Sequence, residues 1–259
     1  MLLTIDIGNS NLFAVLMDET GKHIKESRIE TERINVAEYY SAWITQFKEG
    51  NVINDFILSC VVPSITQEVF LVLQETLQVK GILLNMDIMD GFEVLLDNPK
   101  ELGADFIATS IGAINKYQKP LLVVDMGTAN KISVINEAGQ FVGGIIAAGM
   151  GIEKKAMEDM IPHLPKIELE IPEQLVGSNT IACMQSGIVN GNIYSIQGIC
   201  QQIEKEYGLD FTKILTGGYG NVIYRKMENF AFDSYLLNDG LWYIYQNIKN
   251  KDMELPSTV

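Results

Sequence analysis

The chain has 259 residues, 47% of them hydrophobic and 20% charged, and its 33 acidic against 19 basic side chains leave a formal net charge of −14. This length holds one large or two ordinary domains of normal globular composition, and the acidic excess opposes non-specific binding to nucleic acid or anionic membranes, which need a basic patch. No window approaches about 18 uninterrupted apolar residues and the first residues lack the basic region and apolar core of a signal peptide, so a cytoplasmic protein is expected.

The first predicted strand, Leu2 to Ile7, carries Asp6 near its end and runs into Gly8, so an acid is followed by a glycine turn that lets backbone approach a ligand closely. Leu12 to Met17 reads as the second strand of a hairpin, and Asp18-Glu19-Thr20-Gly21 as the turn into a third strand from Lys22 to Ile29. Val36 to Phe47 is a predicted helix whose Tyr40, Trp43, Ile44 and Phe47 share one apolar face and belong to a core. Phe56 to Val62 is a buried strand by composition, Pro63-Ser64 opens a helix running to Leu77, and Ile82 to Leu84 is a short strand. The order β-β-β-α-β-α-β is that of a mixed sheet covered by helices.

Asp97-Asn98-Pro99 then turns the chain, and a helix follows to Lys116 with Asp105 in its first turn. An acid in that position serves as a dipole partner or cap, or else as a general base held near a cleft. The opening hairpin then recurs. Leu121 to Met126 leads through Asp125 into Gly127, Ile132 to Ile135 is the return strand, and Asn136-Glu137-Ala138-Gly139 the next turn. Asp6 and Asp125 are 119 positions apart and Gly21 and Gly139 are 118 apart, so one residue is missing from the second hairpin. Two matched hairpins imply half-domains 1–118 and 119–259 facing each other across a cleft suited to a nucleotide with Mg²⁺, with turn amides on phosphate oxygens and the acids on the cation.

A long helix is expected from Thr180 to Tyr207, with Gly187, Gly191 and Gly198 on one face that either packs against the chain's own sheet or meets another subunit. A last helix, from Ser234 to Ile248, reads as a cover on the second sheet, with disorder expected only beyond Asn250. Cys60, Cys183 and Cys200 are widely spaced in apolar or helical surroundings and are read as buried reduced thiols, and His23 and His163 as structural.

The paired Asp-x-Gly hairpins resemble those of the actin, hexokinase and Hsp70 class, which implies an α/β fold of duplicated actin-like (ribonuclease H-like) domains with mixed sheets and flanking helices. Asp6-Ile7-Gly8-Asn9-Ser10-Asn11, Asn98-Pro99-x-x-Leu102-Gly103-Ala104-Asp105 and Asp125-Met126-Gly127-Thr128-Ala129 occur in the order and spacing of type III pantothenate kinases. Gly143 to Gly149, Leu164-Pro165, Gly177 to Gly187 and Thr216-Gly217-Gly218 resemble further segments of that family. The resemblance implies an ATP-dependent kinase making 4'-phosphopantothenate for coenzyme A. It implies that Asp6, Ile7, Gly8, Asn9, Ser10, Asn11, Leu12 and Phe13 form the first phosphate hairpin and that Thr128 binds ATP. Gly103, Ala104, Asp105, Phe106 and Thr180 would contact pantothenate, with Asp105 as base, and Asp125 would bind an activating K⁺ or NH₄⁺. The resemblance also implies a homodimer.

Several residues depart from the family pattern. Phe106 stands where the family has arginine and Leu96 where it has tyrosine; Asn130 and Lys131 replace two threonines, and Ala148 a proline. The first two positions bear on the acceptor and the next two on the phosphates. A kinase of this fold with another hydroxyl acceptor, or a non-catalytic regulatory relative, are the competing readings.

Overall fold

Two five-stranded sheets with the same strand order organise the chain in the computed structural model, which describes residues 1–254. The first sheet comprises β1 (Leu2–Ile7), β2 (Asn11–Met17), β3 (His23–Glu30), β4 (Asp55–Cys60) and β5 (Ile82–Leu83), in the order β3-β2-β1-β4-β5. The first three strands form an antiparallel meander, and β4 and β5 add in parallel. The second sheet comprises β6 (Leu121–Met126), β7 (Ala129–Ile135), β8 (Phe141–Ala148), β9 (Thr212–Thr216) and β10 (Phe230–Phe232), in the order β8-β7-β6-β9-β10. Matching strands therefore hold matching places, as a duplication requires.

The first unit joins 1–92, 97–116 and 235–254. The helices α1 (Val36–Phe47) and α2 (Pro63–Leu77) have the predicted bounds. Tyr40, Trp43, Ile44 and Phe47 of α1 pack with Ile65, Val69 and Leu73 of α2 against Leu3, Ile5, Ile7, Leu12 and Phe56 of the sheet. Thr4 points to the opposite face, where its hydroxyl accepts from Asn238 Nδ2 at 3.1 Å. There α3 (Ala104–Lys116) packs on α8 (Leu236–Glu254).

The expected cover on the second sheet is thus a correction: α8 lies on α3 and strands β1 and β4 of the first. For the same reason the units differ from the halves 1–118 and 119–259, because 235–254 completes the first unit while 93–96 joins the second through Val94 and Leu95 on Phe141. Its helix also continues past Asn250, where disorder was expected; 255–259 lie outside the described residues.

The second unit, 93–96 and 117–234, packs Leu122, Val124, Met126 and Ile132 against Met150 of α4 (Met150–Met160) and against the helical stretch 180–207. That stretch is not one regular helix: α5 (Thr180–Gln185) passes through a π-turn over Ser186–Asn190 into α6 (Gly191–Tyr207). Met184, Ile188, Val189, Ile193, Ile196 and Cys200 face the core, and Gly187, Gly191 and Gly198 lie exposed. A short helix, α7 (Gly220–Ile223), follows β9. The cysteines are free, but only Cys200 is fully buried; Cys183 is exposed on α5 and Cys60 half-buried, which corrects the expectation of three buried thiols.

Candidate active site

The opening hairpin pairs Asp6 with Phe13 across its strands and Asp6 with Ser59 of β4 on the other side. The Ser59 hydroxyl donates to Asp6 Oδ1 at 2.8 Å, so the next strand steadies the carboxylate. The turn is held through its carbonyls. Gly8 N–H donates to the Asn11 carbonyl (2.9 Å), Thr31 N–H to that of Ser10 (3.0 Å), and Thr31 Oγ1 to that of Gly8 (2.8 Å). Arg33 Nη2 reaches both the Asn9 carbonyl (2.8 Å) and Asn9 Oδ1 (3.0 Å), placing a cation on the turn of an acidic protein. Asn9, Ser10 and Asn11 are exposed, whereas Ile7 and Leu12 are sealed in the core, so only backbone from those two can serve a ligand. The Phe13 ring lies under the Arg28 guanidinium, 4.4 Å from its centroid, and against Tyr235. Burial, with the Asp6 charge as a lesser cause, raises the thiol pKa of Cys60, next to Ser59.

A short 3₁₀ turn at Pro99–Glu101 delivers the chain to α3. Asp105 is buried, 8% exposed, and its Oδ1 accepts from Phe106 N–H at 2.8 Å. A Cβ at position 103 would fall 2.8 Å from that oxygen, so glycine there makes room for the carboxylate. Ala104 is buried and Phe106 half-exposed beside it.

In the second unit, Asp125 occupies the place of Asp6, and the residue across from it is Lys131. Lys131 Nζ lies 2.6 Å from Asp125 Oδ2, with 17% and 15% of the two side chains exposed. The missing residue falls in the turn: Gly8 bonds to Asn11 in the first hairpin, and Gly127 N–H donates to Ala129, one position nearer, at 3.2 Å in the second. Two segments close around this turn. Gly149 N–H donates to the Thr128 carbonyl (3.1 Å), and a Cβ there would fall 2.5 Å from that oxygen. Gly217, in the left-handed region at φ +86°, brings its turn so near that a Cβ would fall 2.5 Å from Asp125 Oδ1. Behind the turn, buried Asn130 donates to Asn192 Oδ1, and Asn192 Nδ2 donates to Glu153 Oε2 at 2.8 Å. Thr180 is exposed at the first position of α5, which Asn179 caps through Ala182 N–H at 3.0 Å.

Ser59, Thr31, Arg33 and the Lys131–Asp125 pair were not picked out from sequence. All four depend on strand register, for which a linear motif carries no signal; a basic residue beside each hairpin of so acidic a chain was the one available hint. His23 is structural as expected, its Nε2 2.7 Å from Asp239 Oδ1. Among the described residues no group of three or more His, Cys, Asp or Glu side chains could hold a metal ion.

The chain resembles known proteins along its whole length. The family described as type III pantothenate kinase matches residues 2–202. The type III pantothenate kinase of Exiguobacterium is 34% identical over 252 residues, covering 95% of this chain and 98% of its own. That of Acholeplasma laidlawii is 33% identical, covering 96% and 100%. Among solved structures, a Baf family transcriptional activator from Campylobacter jejuni superposes with a TM-score of 0.62 at 21% identity, over 96% of this chain and 99% of its own. An activator of 2-hydroxyisocaproyl-CoA dehydratase from Clostridium difficile, solved with ADPNP, gives 0.55 at 12% identity over 100% and 99%. The two sheets with flanking helices are duplicated actin-like domains.

Proposed function

From its place in the type III pantothenate kinase family, to which the chain belongs, we propose that it transfers the γ-phosphoryl group of ATP to the primary hydroxyl of pantothenate, the first step of coenzyme A biosynthesis. The observation that carries the reading is Asp105, a buried carboxylate oriented by Phe106 N–H and given space by a glycine. Asp105 takes the hydroxyl proton as the oxygen attacks phosphorus. Ala104 and Gly103 shape the acceptor site beside it, and Thr180 is a further acceptor contact. The turn from Gly8 to Asn11 binds phosphate oxygens, and Thr128 does so on the second hairpin. Arg33 supplies fixed positive charge at the first turn.

Asp6, steadied by Ser59, is the carboxylate suited to Mg²⁺, an ion that keeps several waters and is held by one or two carboxylates and substrate phosphates. When bound, Mg²⁺ neutralises charge developing on the phosphoryl oxygens. The K⁺ or NH₄⁺ anticipated at Asp125 does not fit the side chains present, since the Lys131 ammonium lies on one carboxylate oxygen and the Gly217 turn closes on the other.

In this reading the enzyme works in the cytoplasm; among the described residues no helix is long and apolar enough to cross a membrane. Its partner is a second copy of itself, seated where Ile145, Gly187, Gly191 and Ser195 line one groove of the second unit, with Ile146 67% exposed nearby. Light scattering at micromolar concentration should give a dimer mass, lost in Gly191→Leu; a monomeric parent excludes the dimer.

A coupled assay of ADP release tests the reaction: release should require both ATP and pantothenate. ATP binding without pantothenate-dependent turnover would favour the second reading, a kinase for another hydroxyl acceptor, which rests on the apolar Phe106 beside the base.

A further inference from the structure

We propose that Lys131 is a built-in cation of the second phosphate hairpin, so that a tethered ammonium takes the place of a dissolved monovalent ion and nucleotide binding does not respond to K⁺. The inference rests on the reading of this hairpin as a nucleotide site. Strand pairing places Lys131 directly opposite Asp125. Its Nζ lies 2.6 Å from Oδ2, and both side chains are largely out of solvent. The other oxygen, Oδ1, is backed by Gly217, where no side chain would fit. A K⁺ ion using this carboxylate would have to stand where Nζ stands, or beside it against like charge.

The chemistry of the replacement is close. An ammonium head offers three N–H donors around one positive charge, one fewer than NH₄⁺, because its fourth position is the bond to the side chain. Being covalently attached, it is present at any salt concentration, and it leaves a net charge of zero on the Asp125–Lys131 pair. The matching position in the first hairpin is Phe13, which carries no charge of its own and lies under Arg28 instead. A cation therefore stands at this hairpin position in both units, on the strand facing the acid in the second unit and on the neighbouring strand in the first.

The test is calorimetric titration of MgATP, without pantothenate, into the parent and Lys131→Met in choline chloride, KCl and NH₄Cl, with Tm recorded in each salt. The parent should bind with Kd equal within about twofold in all three. Lys131→Met should bind at least about tenfold more weakly in choline, about 1.4 kcal/mol, and regain affinity and Tm in K⁺ or NH₄⁺. A parent whose affinity rises tenfold on adding K⁺ overturns the proposal, and this arm needs no variant to fold. So does Lys131→Met that binds like the parent in choline. Absence of MgATP binding in every salt overturns it together with the kinase reading. The predicted salt pattern without turnover of pantothenate would refute only the pantothenate assignment.

Discussion

Gly112 of α3 and Gly240 of α8 lie back to back: a Cβ on Gly240 would fall 2.9 Å from Gly112 N, and one on Gly112 would fall 3.3 Å from Gly240 N. The sharper conflict is with carbonyls, at 1.8 Å from Ala108 O for Gly240 and 2.2 Å from Leu236 O for Gly112. Backbone cannot swing aside as a side-chain tip can. Gly240→Ala should therefore destabilise the fold by about 1–3 kcal/mol or more, read as a lower urea midpoint. Gly143→Ala, where a Cβ meets nothing within 4 Å, is the control and should stay within about 0.5 kcal/mol. Equal midpoints for the two variants would contradict the close crossing.

Asp105→Asn keeps an oxygen for Phe106 N–H but cannot take a proton. Phosphoryl transfer should fall by about 10²- to 10⁴-fold with Tm nearly unchanged. Activity within a few-fold of the parent at saturating pantothenate excludes Asp105 as the base.

Phe106→Arg restores a charge-assisted donor beside the base. If the acceptor is pantothenate, whose carboxylate would gain this donor, KM for pantothenate should drop by one to two decades, the equivalent of about 1.5–3 kcal/mol, with KM for ATP unchanged. In a site shaped for a less polar acceptor the arginine lacks a partner, and both Tm and turnover fall. The two outcomes differ in sign.

Tyr245 donates to Asp55 Oδ2 at 3.1 Å, and burial first, then the Asp55 charge, pushes its phenol up to about 12. The ordinary phenol pKa is about 10. Because the folded value is the higher, the folded state holds the proton between these limits, so this contribution to stability is complete below pH 10 and is lost as pH rises through 12. Tyr245→Phe should cost stability at about pH 9 through the lost hydrogen bond, with a smaller gap to the parent at about pH 11.5. A gap that does not narrow, measured by urea unfolding at both pH values, removes Tyr245 from the alkaline transition.

Locally encoded features were legible from sequence. The periodicity of Tyr40, Trp43, Ile44 and Phe47 marked α1, and Pro63 marked the start of α2. The repeated Asp-x-Gly turn located both hairpins. What escaped depends on contacts between distant residues. Leu236, Leu241 and Ile244 mark an apolar helix face but carry no information about which sheet it covers. Gly112 and Gly240 look like helix weakeners until the helices cross, whereas a Cβ on Gly187, Gly191 or Gly198, singled out for their spacing, would meet nothing within 4 Å beyond their own helix. Lys131 reads as a departure from a motif, and only the pairing of β6 with β7 shows that it faces Asp125.

The placement of α8 has a consequence for the order of folding. The second unit is nearly continuous in the chain, running from 117 to 234 apart from 93–96, whereas the first unit takes its opening strand from Leu2–Ile7 and its closing helix from Leu236–Glu254. On the ribosome the segment made first must wait until more than 230 residues have followed before Asn238 can reach Thr4. Contacts so distant along the chain form slowly because loop closure precedes their reward. The later-made unit is thus free to fold first, and during that interval the earlier one exposes the α3 surface around Gly112 to chaperones and to other nascent chains.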